Sequence, residues 1–294
     1  MGTALSSLGE NAVLSRLLSH LPANDSLIVG PGDDCAVVSR NDEWDTLLKT
    51  DVVVENVHFT PDTEPERIGR KALARAVSDI AAMGGIPEHA LITLLVSPHR
   101  SVELLEGLYR GVYELADRYN ISVAGGETSS LPFDGMVINV ALTGRVERGC
   151  AVLRSGAGVG DILCVSGRLG GSFPSGRHLD FEPRVKLARF LMKNGLRPTA
   201  MMDLSDGLAT DLPRLADASS CGFEIDPSRL PCHAGCNPRQ AMTDGEDYEL
   251  LMTFTPNALE QLAALSLPTP ITAIGKIVPR NRSELGSGWL HFSA

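Results

Sequence analysis

No apolar stretch in this chain approaches the roughly 20 residues a helix needs to cross a bilayer. The longest candidate, Ala90 to Val96, has only the length of a strand. Met1 to Leu5 show no basic region followed by an apolar run, so no secretory signal is expected. Basic residues are in deficit: 26 Lys+Arg face 36 Asp+Glu, for a net charge of −10. That argues against nucleic-acid and anionic-membrane partners, which both select basic surfaces. The six cysteines form no disulfide framework and read as reduced thiols of a cytoplasmic protein. Cys232, His233 and Cys236 come nearest to zinc-site spacing. No second pair accompanies them, so a loop with incidental cysteines is the plainer account. Catalytic signatures are missing as well. There is no G-x-x-x-x-G-K-[ST], kinase H-R-D or D-F-G, G-x-S-x-G or H-E-x-x-H.

What remains is a chain of 294 residues with 43% hydrophobic content, long enough to bury a core without staples. Leu5, Leu8, Ala12, Val13, Leu17 and Leu18 predict a helix over residues 5–20. Strands are expected at Thr46 to Val54, Ala90 to Val96, Ile121 to Ala124 and Met136 to Val146. Helices are expected from Pro65 to the Gly84-Gly85 stop, and from Val102 to Tyr119. Glycine-rich residues 147–160 then mark a connector, which divides the chain into residues 1–148 and 149–294. The second part predicts strands at Asp161 to Ser166, Gly222 to Ile225, Tyr248 to Phe254 and Ile271 to Val278. Its helices are expected at Pro183 to Asn194, Ser205 to Ala218 and after Thr255-Pro256, a favoured cap pairing. The order is not a regular βα alternation, which favours two α+β layers over a Rossmann sheet.

Several acids sit where a solvated charge would not. Asp33 and Asp34 follow the turn Gly30-Pro31-Gly32. Asp51 lies inside a strand, flanked by Thr50 and three valines. Asp79 edges the apolar face of its helix, in the last turn, where the helix dipole disfavours an anion. Arg75, four residues back, is its simple helical partner in the plainest account. Glu127 follows Gly125-Gly126, whose missing side chains permit close approach to a ligand. Asp203 and Asp206 bracket Ser205 at an expected helix start, where ordinary capping explains one of the three. Glu246 and Asp247 follow Asp244-Gly245 before a strand. Oxygen ligands dispersed over strand ends and helix starts are what several Mg²⁺ ions require. Acids cannot hold polyphosphate without bridging metals, so metal–nucleotide chemistry is expected. Spacing alone does not choose between phosphoryl transfer and phosphate hydrolysis.

The same segments carry a resemblance. Gly30 to Val38 (GPGDDCAVV) and Lys49 to Phe59 (KTDVVVENVHF) form its first part. Ile68 to Leu73 leading to Ser78 to Gly84 (SDIAAMG), Asp203 to Leu208 (DLSDGL) and Gly245 to Leu250 (GEDYEL) follow in order. Together they resemble the thiamine-monophosphate kinase family, within the aminoimidazole-ribonucleotide-synthetase-like superfamily. The resemblance implies an α+β fold of two α/β-layer domains, with the N-terminal sheet pairing across a homodimer. It implies ATP as co-substrate, several Mg²⁺ ions and potassium as a further candidate cation. By motif position, Asp34, Thr50, Asp51, Asp79, Glu127, Asp203 and Asp206 would face metal, with Asp51, Asp79 and Asp206 at the centre of catalysis. Gly126, Glu127, Arg154 and Ser205 would meet the nucleotide. His58, Glu246 and Trp289 would meet thiamine monophosphate, with core packing an equal account of Trp289.

Two departures from the family pattern stand out. Glu127 replaces the usual aspartate of G-G-D-T, and Asp244 replaces the first glycine of G-G-E-D-Y-E. Two other readings stay open: a superfamily relative acting on a different phosphate or carbonyl acceptor, and a non-catalytic nucleotide-binding paralogue. The selenophosphate-synthetase version lacks an N-terminal reactive cysteine, since the first is Cys35. The hydrogenase-maturation version lacks a cysteine in the final residues.

Overall fold

A computed structural model describes residues 10–280. The first half runs α1 (Glu10–Leu17), β1 (Leu27–Val29), β2 (Ala36–Ser39), β3 (Trp44–Val54), α2 (Pro65–Ala82), β4 (Ile86–Val96), α3 (Val102–Tyr119), β5 (Ser122–Ser130) and β6 (Met136–Glu147). The second runs β7 (Ile162–Ser166), α4 (Ser172–Ser175), α5 (Arg177–Asp180), α6 (Val185–Lys193), β8 (Ala200–Asp203) and α7 (Leu208–Ala218). It continues with β9 (Gly222–Ile225), α8 (Pro238–Thr243), β10 (Leu250–Phe254), α9 (Pro256–Ala263) and β11 (Ile271–Val278). The strands form two sheets, β1-β2-β3-β6-β4-β5 and β8-β10-β7-β11-β9. This is the α+β arrangement expected from the irregular element order. No helix among the described residues is long and apolar enough to cross a membrane.

The first sheet is built on three long strands. β3 and β6 pair antiparallel from Trp44↔Glu147 to Val54↔Val137, and β4 continues the sheet beside β6. Buried and half-buried positions alternate along all of β6, because successive side chains point to opposite faces. β5 runs parallel to β4, which requires a crossover, and α3 supplies it. Ser101 caps α3 by accepting from the Leu104 amide, and Asn120 ends it in the left-handed conformation. α3 lies directly on α2. A Cβ at Gly69 would stand 1.9 Å from the Leu108 carbonyl oxygen, and one at Gly111 would stand 1.8 Å from that of Glu66. The two backbones touch only because both positions are glycine.

α2 is the pivot of the molecule. Its Pro65 start suits a first helical turn, and Ile68, Leu73, Val77 and Ile80 are buried. One continuous core joins these residues to Leu187, Leu191, Met201, Leu250 and Phe254 of the second sheet layer. Removing Leu73 or Val77 would therefore loosen both layers, not one.

Three expectations need correction. β5 does not stop at Ala124 but passes through Gly125-Gly126 to Ser130, so Glu127 lies within an edge strand. The glycines are expected to permit close approach of a ligand, and Gly126 serves close strand approach. A Cβ at Gly126 would meet the Ile92 carbonyl oxygen at 1.8 Å, beside a register shift at Ala90/Leu91. The helix expected from Ser205 begins at Leu208, and Gly207 precedes it without a side-chain cap. Asp203 thus ends a strand and caps nothing. The helix expected over residues 5–20 ends at Leu17, with Leu14 and Leu17 exposed, and residues 5–9 lie outside the described residues.

Candidate active site

Asp34 comes from the turn before β2, Asp79 from the last turn of α2 and Asp203 from the end of β8. Each offers a carboxylate oxygen within 4.8 Å of the others, and all three residues are buried. Two sheets and the helix between them thus converge on one point. Lys49 on β3 donates to Asp79 at 2.7 Å, and Ser78 donates to Asp203 at 2.6 Å. The Arg154 guanidinium donates to Asp34 Oδ1 at 2.5 Å, and its backbone N–H bridges both oxygens of Asp33 at 3.2 Å. Asp34 Oδ2 is buried and has no hydrogen-bond partner among the described residues.

Electrostatics shows the cost of this assembly. Burial pushes the Asp79 carboxyl well above the usual range; Lys49 opposes this, and Asp203, Asp51 and Asp34 add to it. Asp203 is raised to about 6, first by burial and then by Asp34, with Ser78 opposing. Asp33 is likewise raised to about 6 by burial and by Asp34. Four carboxylates, Asp33, Asp34, Asp79 and Asp203, face two cations, Lys49 and Arg154. Buried charge without full compensation is expensive, so a ligand of opposite charge is what this site is built for. Hard carboxylate oxygens, one of them unpartnered, fit a divalent cation such as Mg²⁺.

The plain account of Asp79 is therefore corrected: its cation is Lys49, not Arg75. Arg75 turns instead to Asp51, meeting it at 3.1 Å. Lys49 and Asp51 share the inward face of β3, two residues apart. Next along α2, Lys71 is fully buried and donates to the His58 carbonyl and to Glu246, each at 2.6 Å. His58 Nδ1 accepts from the Val54 amide at 3.0 Å, which places any neutral-ring proton on Nε2.

Beside the triad lies a cavity of about 740 Å³, lined by His58, Arg75, Phe173, Ser205, Asp206 and Glu246 among others. Asp206 pairs with Arg214 at 2.5 Å. The Ser205 carbonyl accepts from the Glu246 amide at 2.7 Å. Glu246 and Tyr248 both hold positive φ, 62° and 51°, a conformation that costs free energy and concentrates at functional loops.

The family model of AIR synthase related protein, N-terminal domain, matches residues 32–146, and that of its C-terminal domain matches residues 161–287. Thiamine-monophosphate kinase of Rhodopirellula baltica is 35% identical, over 92% of this chain and 90% of its own. That of Bacillus subtilis is also 35% identical, over 94% and 92%. The chain belongs to the thiamine-monophosphate kinase family. Among solved structures, AaThiL complexed with AMPPCP and TMP superposes with a TM-score of 0.84 at 30% identity, covering 99% of both chains. The hydrogenase maturation protein HypE, in its HypE–HypF complex, shares the fold at 19% identity and a TM-score of 0.71.

The residues singled out in the sequence divide into groups. Asp34, Asp79, Asp203 and Arg154 meet at the triad, with Asp51 close enough to raise Asp79. His58, Ser205, Asp206 and Glu246 share the cavity. Thr50 and Glu127 lie elsewhere. Thr50 faces outward on β3 and donates to Asn139 at 2.9 Å; Glu127 is exposed on edge strand β5, in register with Thr93. Gly126 lies beside it, pressed on Ile92. Trp289 lies outside the described residues. Lys49, Lys71 and Phe173 were not singled out, and Arg75 only as a helical partner of Asp79. For Lys71, Arg75 and Asp79 the signal was present: a spacing of four puts them on one helix face.

Proposed function

We propose that this chain transfers the γ-phosphoryl group of ATP to thiamine monophosphate, forming thiamine diphosphate and ADP. The buried triad with its unpartnered Asp34 oxygen carries the reading; the ligand-bound relative, complexed with AMPPCP and TMP, supports the substrates. In the reaction a terminal phosphate oxygen of thiamine monophosphate bonds to the γ-phosphorus as the bond to the β,γ-bridging oxygen breaks. A phosphate monoester is largely ionised at pH 7, with a second pKa of about 6, so no strong base is required. Asp34, Asp79 and Asp203 would hold Mg²⁺, which supplies charge neutralisation on the phosphates when bound.

The chain's own groups do the positioning. Arg75 is fixed by Asp51, lines the cavity and keeps one buried nitrogen, Nη1, without a hydrogen-bond partner among the described residues. That nitrogen is a ready donor to a phosphate oxygen. Lys71 sets the height of both His58 and Glu246, the proposed thiamine contacts. Phe173 adds an exposed ring on the cavity wall, backed by His178 at 4.4 Å. The remaining roles follow the family pattern: Gly126, Glu127 and Ser205 toward nucleotide, with Glu127 and Asp206 toward further metal; the outward-facing Thr50 side chain takes no metal role here. Incubation with ATP, Mg²⁺ and thiamine monophosphate, in sodium or potassium salt, should yield equal amounts of ADP and thiamine diphosphate. Absence of both products would refute the reading.

Residues 1–148 are proposed as the metal, nucleotide and dimer part, and residues 149–294 as the part closing over substrate. The outward face of the first sheet exposes Leu48, Val52 and Leu91 at 43%, 38% and 49%. Apolar residues clustered on one sheet face are better covered than wet, and a second copy of the chain is the proposed cover. Sedimentation should give twice the 31.3 kDa chain mass, and Leu91→Asp should shift it toward one. A monomer at micromolar concentration contradicts this. All six cysteines are free, as in a reducing cytoplasm, the proposed location.

A further inference from the structure

A second cavity, of about 790 Å³, lies behind the first. The two share no lining residue, yet alternate along the same segments. Phe173 and Pro174 line the first, and Ser172 and Ser175 the second; Glu246 and Tyr248 line the first, and Asp247 and Glu249 the second. Tyr248 stacks on Phe181 of the second cavity at 3.9 Å.

The second cavity carries four arginines, Arg168, Arg177, Arg184 and Arg229, and four acids, Asp180, Glu182, Asp247 and Glu249. Their numbers balance, but their pairing does not. Asp180 is held by Arg67, and Glu182 by Arg70 at 3.2 Å and Arg118 at 2.8 Å, all cations from outside the lining. Glu249 closes a two-point pair with Arg184. Burial raises the Asp247 carboxyl to about 7, and it accepts from the Gly170 amide at 2.8 Å. The other three guanidiniums rest mainly on neutral oxygens. Arg168 donates to the Cys232 carbonyl at 2.9 Å. Arg177 donates to the Gly170 carbonyl at 2.5 Å and to Ser175 at 2.8 Å, with Asp247 only at 3.8 Å. No ion pair engages Arg229 among the described residues. Thr269 and Thr272 add hydroxyls.

We propose that this second cavity binds a small phosphate-bearing molecule, with Arg168, Arg177 and Arg229 as its charge partners. Guanidinium forks match phosphate oxygens in geometry, and charge-assisted bonds of this kind are the stronger hydrogen bonds. The volume exceeds what a bare phosphate fills and suits a small phosphate ester. The inference needs no part of the kinase reading, since it concerns neither ATP nor thiamine monophosphate.

The test is made on the full chain in EDTA, where the bare acidic triad repels anions and does not compete. Inorganic phosphate, and separately glycerol 3-phosphate, are titrated at constant ionic strength by thermal shift and calorimetry. Wild type should show a saturable rise in melting temperature with matching heat. In the Arg168→Ala/Arg229→Ala double variant the midpoint should weaken at least tenfold. Both side chains are exposed, so its anion-free melting temperature should stay near wild type. The Arg168→Lys/Arg229→Lys variant should fall between the two. Tighter binding of glycerol 3-phosphate identifies an ester site, and equal binding a phosphate site. A non-saturable rise of equal size in all three proteins is the general effect of an excluded salt, and it would overturn the proposal.

Discussion

Asp203→Asn is expected to lower turnover on the order of 10³-fold while making the metal-free protein more stable. The first effect follows from losing one of three buried carboxylates that face the cation on which charge stabilisation depends. The second follows from the same geometry. The substituted carboxamide can still accept from Ser78 through its oxygen, so the 2.6 Å bond survives while one of the crowded charges disappears. The sign with pH can be worked out. The folded carboxyl titrates near 6 against an ordinary 3.8, so the folded chain holds a proton that the unfolded chain has released. Stability therefore falls as pH rises through that window. The gain from the substitution should be full at pH 7.5 and shrink toward pH 4. Each kcal/mol recovered raises the melting temperature by about 2–4 °C in a chain of this size class. Calorimetry in EDTA at pH 7.5 and 4.5 measures it. A variant that is both inactive and less stable at pH 7.5 would make Asp203 an ordinary structural residue.

Lys71→Met should act in the opposite direction on stability and through substrate binding on activity. Lys71 is fully buried, and its ammonium holds the His58 carbonyl and the Glu246 carboxylate together. Removing one partner of such a pair leaves a poorly solvated charge, at a cost of about 3–5 kcal/mol. Glu246 keeps a side-chain exposure of 19%, which allows partial rehydration and favours the lower end. KM for thiamine monophosphate should rise more than kcat falls. The double variant Lys71→Met/Glu246→Gln should regain stability but not substrate affinity, since the orphaned charge is gone but the contact is too. Burial also lowers the Lys71 pKa to about 8 despite Glu246. Above that pH the ammonium loses its proton, so wild-type KM should climb, while Lys71→Met should show no such climb. Urea unfolding at the wild-type midpoint for Lys71→Met would remove this residue from the account.

Much of the fold was legible because its elements carry strong local signals. α3 runs from Val102 to Tyr119 as its periodicity predicts, and Thr255-Pro256 starts α9 as its cap chemistry predicts. The misreadings have a common cause. Gly125-Gly126 and Ser205-Asp206-Gly207 look like local punctuation, but tertiary contacts decide them: β5 continues because Ile92 needs a bare neighbour, and α7 is delayed by Gly207. At the site, motif position named Asp34, Asp79 and Asp203, which the structure brings together. It named Arg154 only as a nucleotide contact and gave Lys49 no role, since these counter-charges reach the acids across 120 and 30 residues. Arg75 was assigned to Asp79 by helical spacing and instead serves Asp51, because the strand beside α2 supplies a better partner to each.

The central claim is that Asp34, Asp79 and Asp203 hold the divalent cation that phosphoryl transfer needs. Anomalous diffraction from crystals soaked in Mn²⁺ with a non-hydrolysable ATP analogue tests it most directly. The account predicts a manganese peak in contact with all three carboxylates, lost in Asp203→Asn crystals. Manganese found only elsewhere, with the three carboxylates bare, would contradict it.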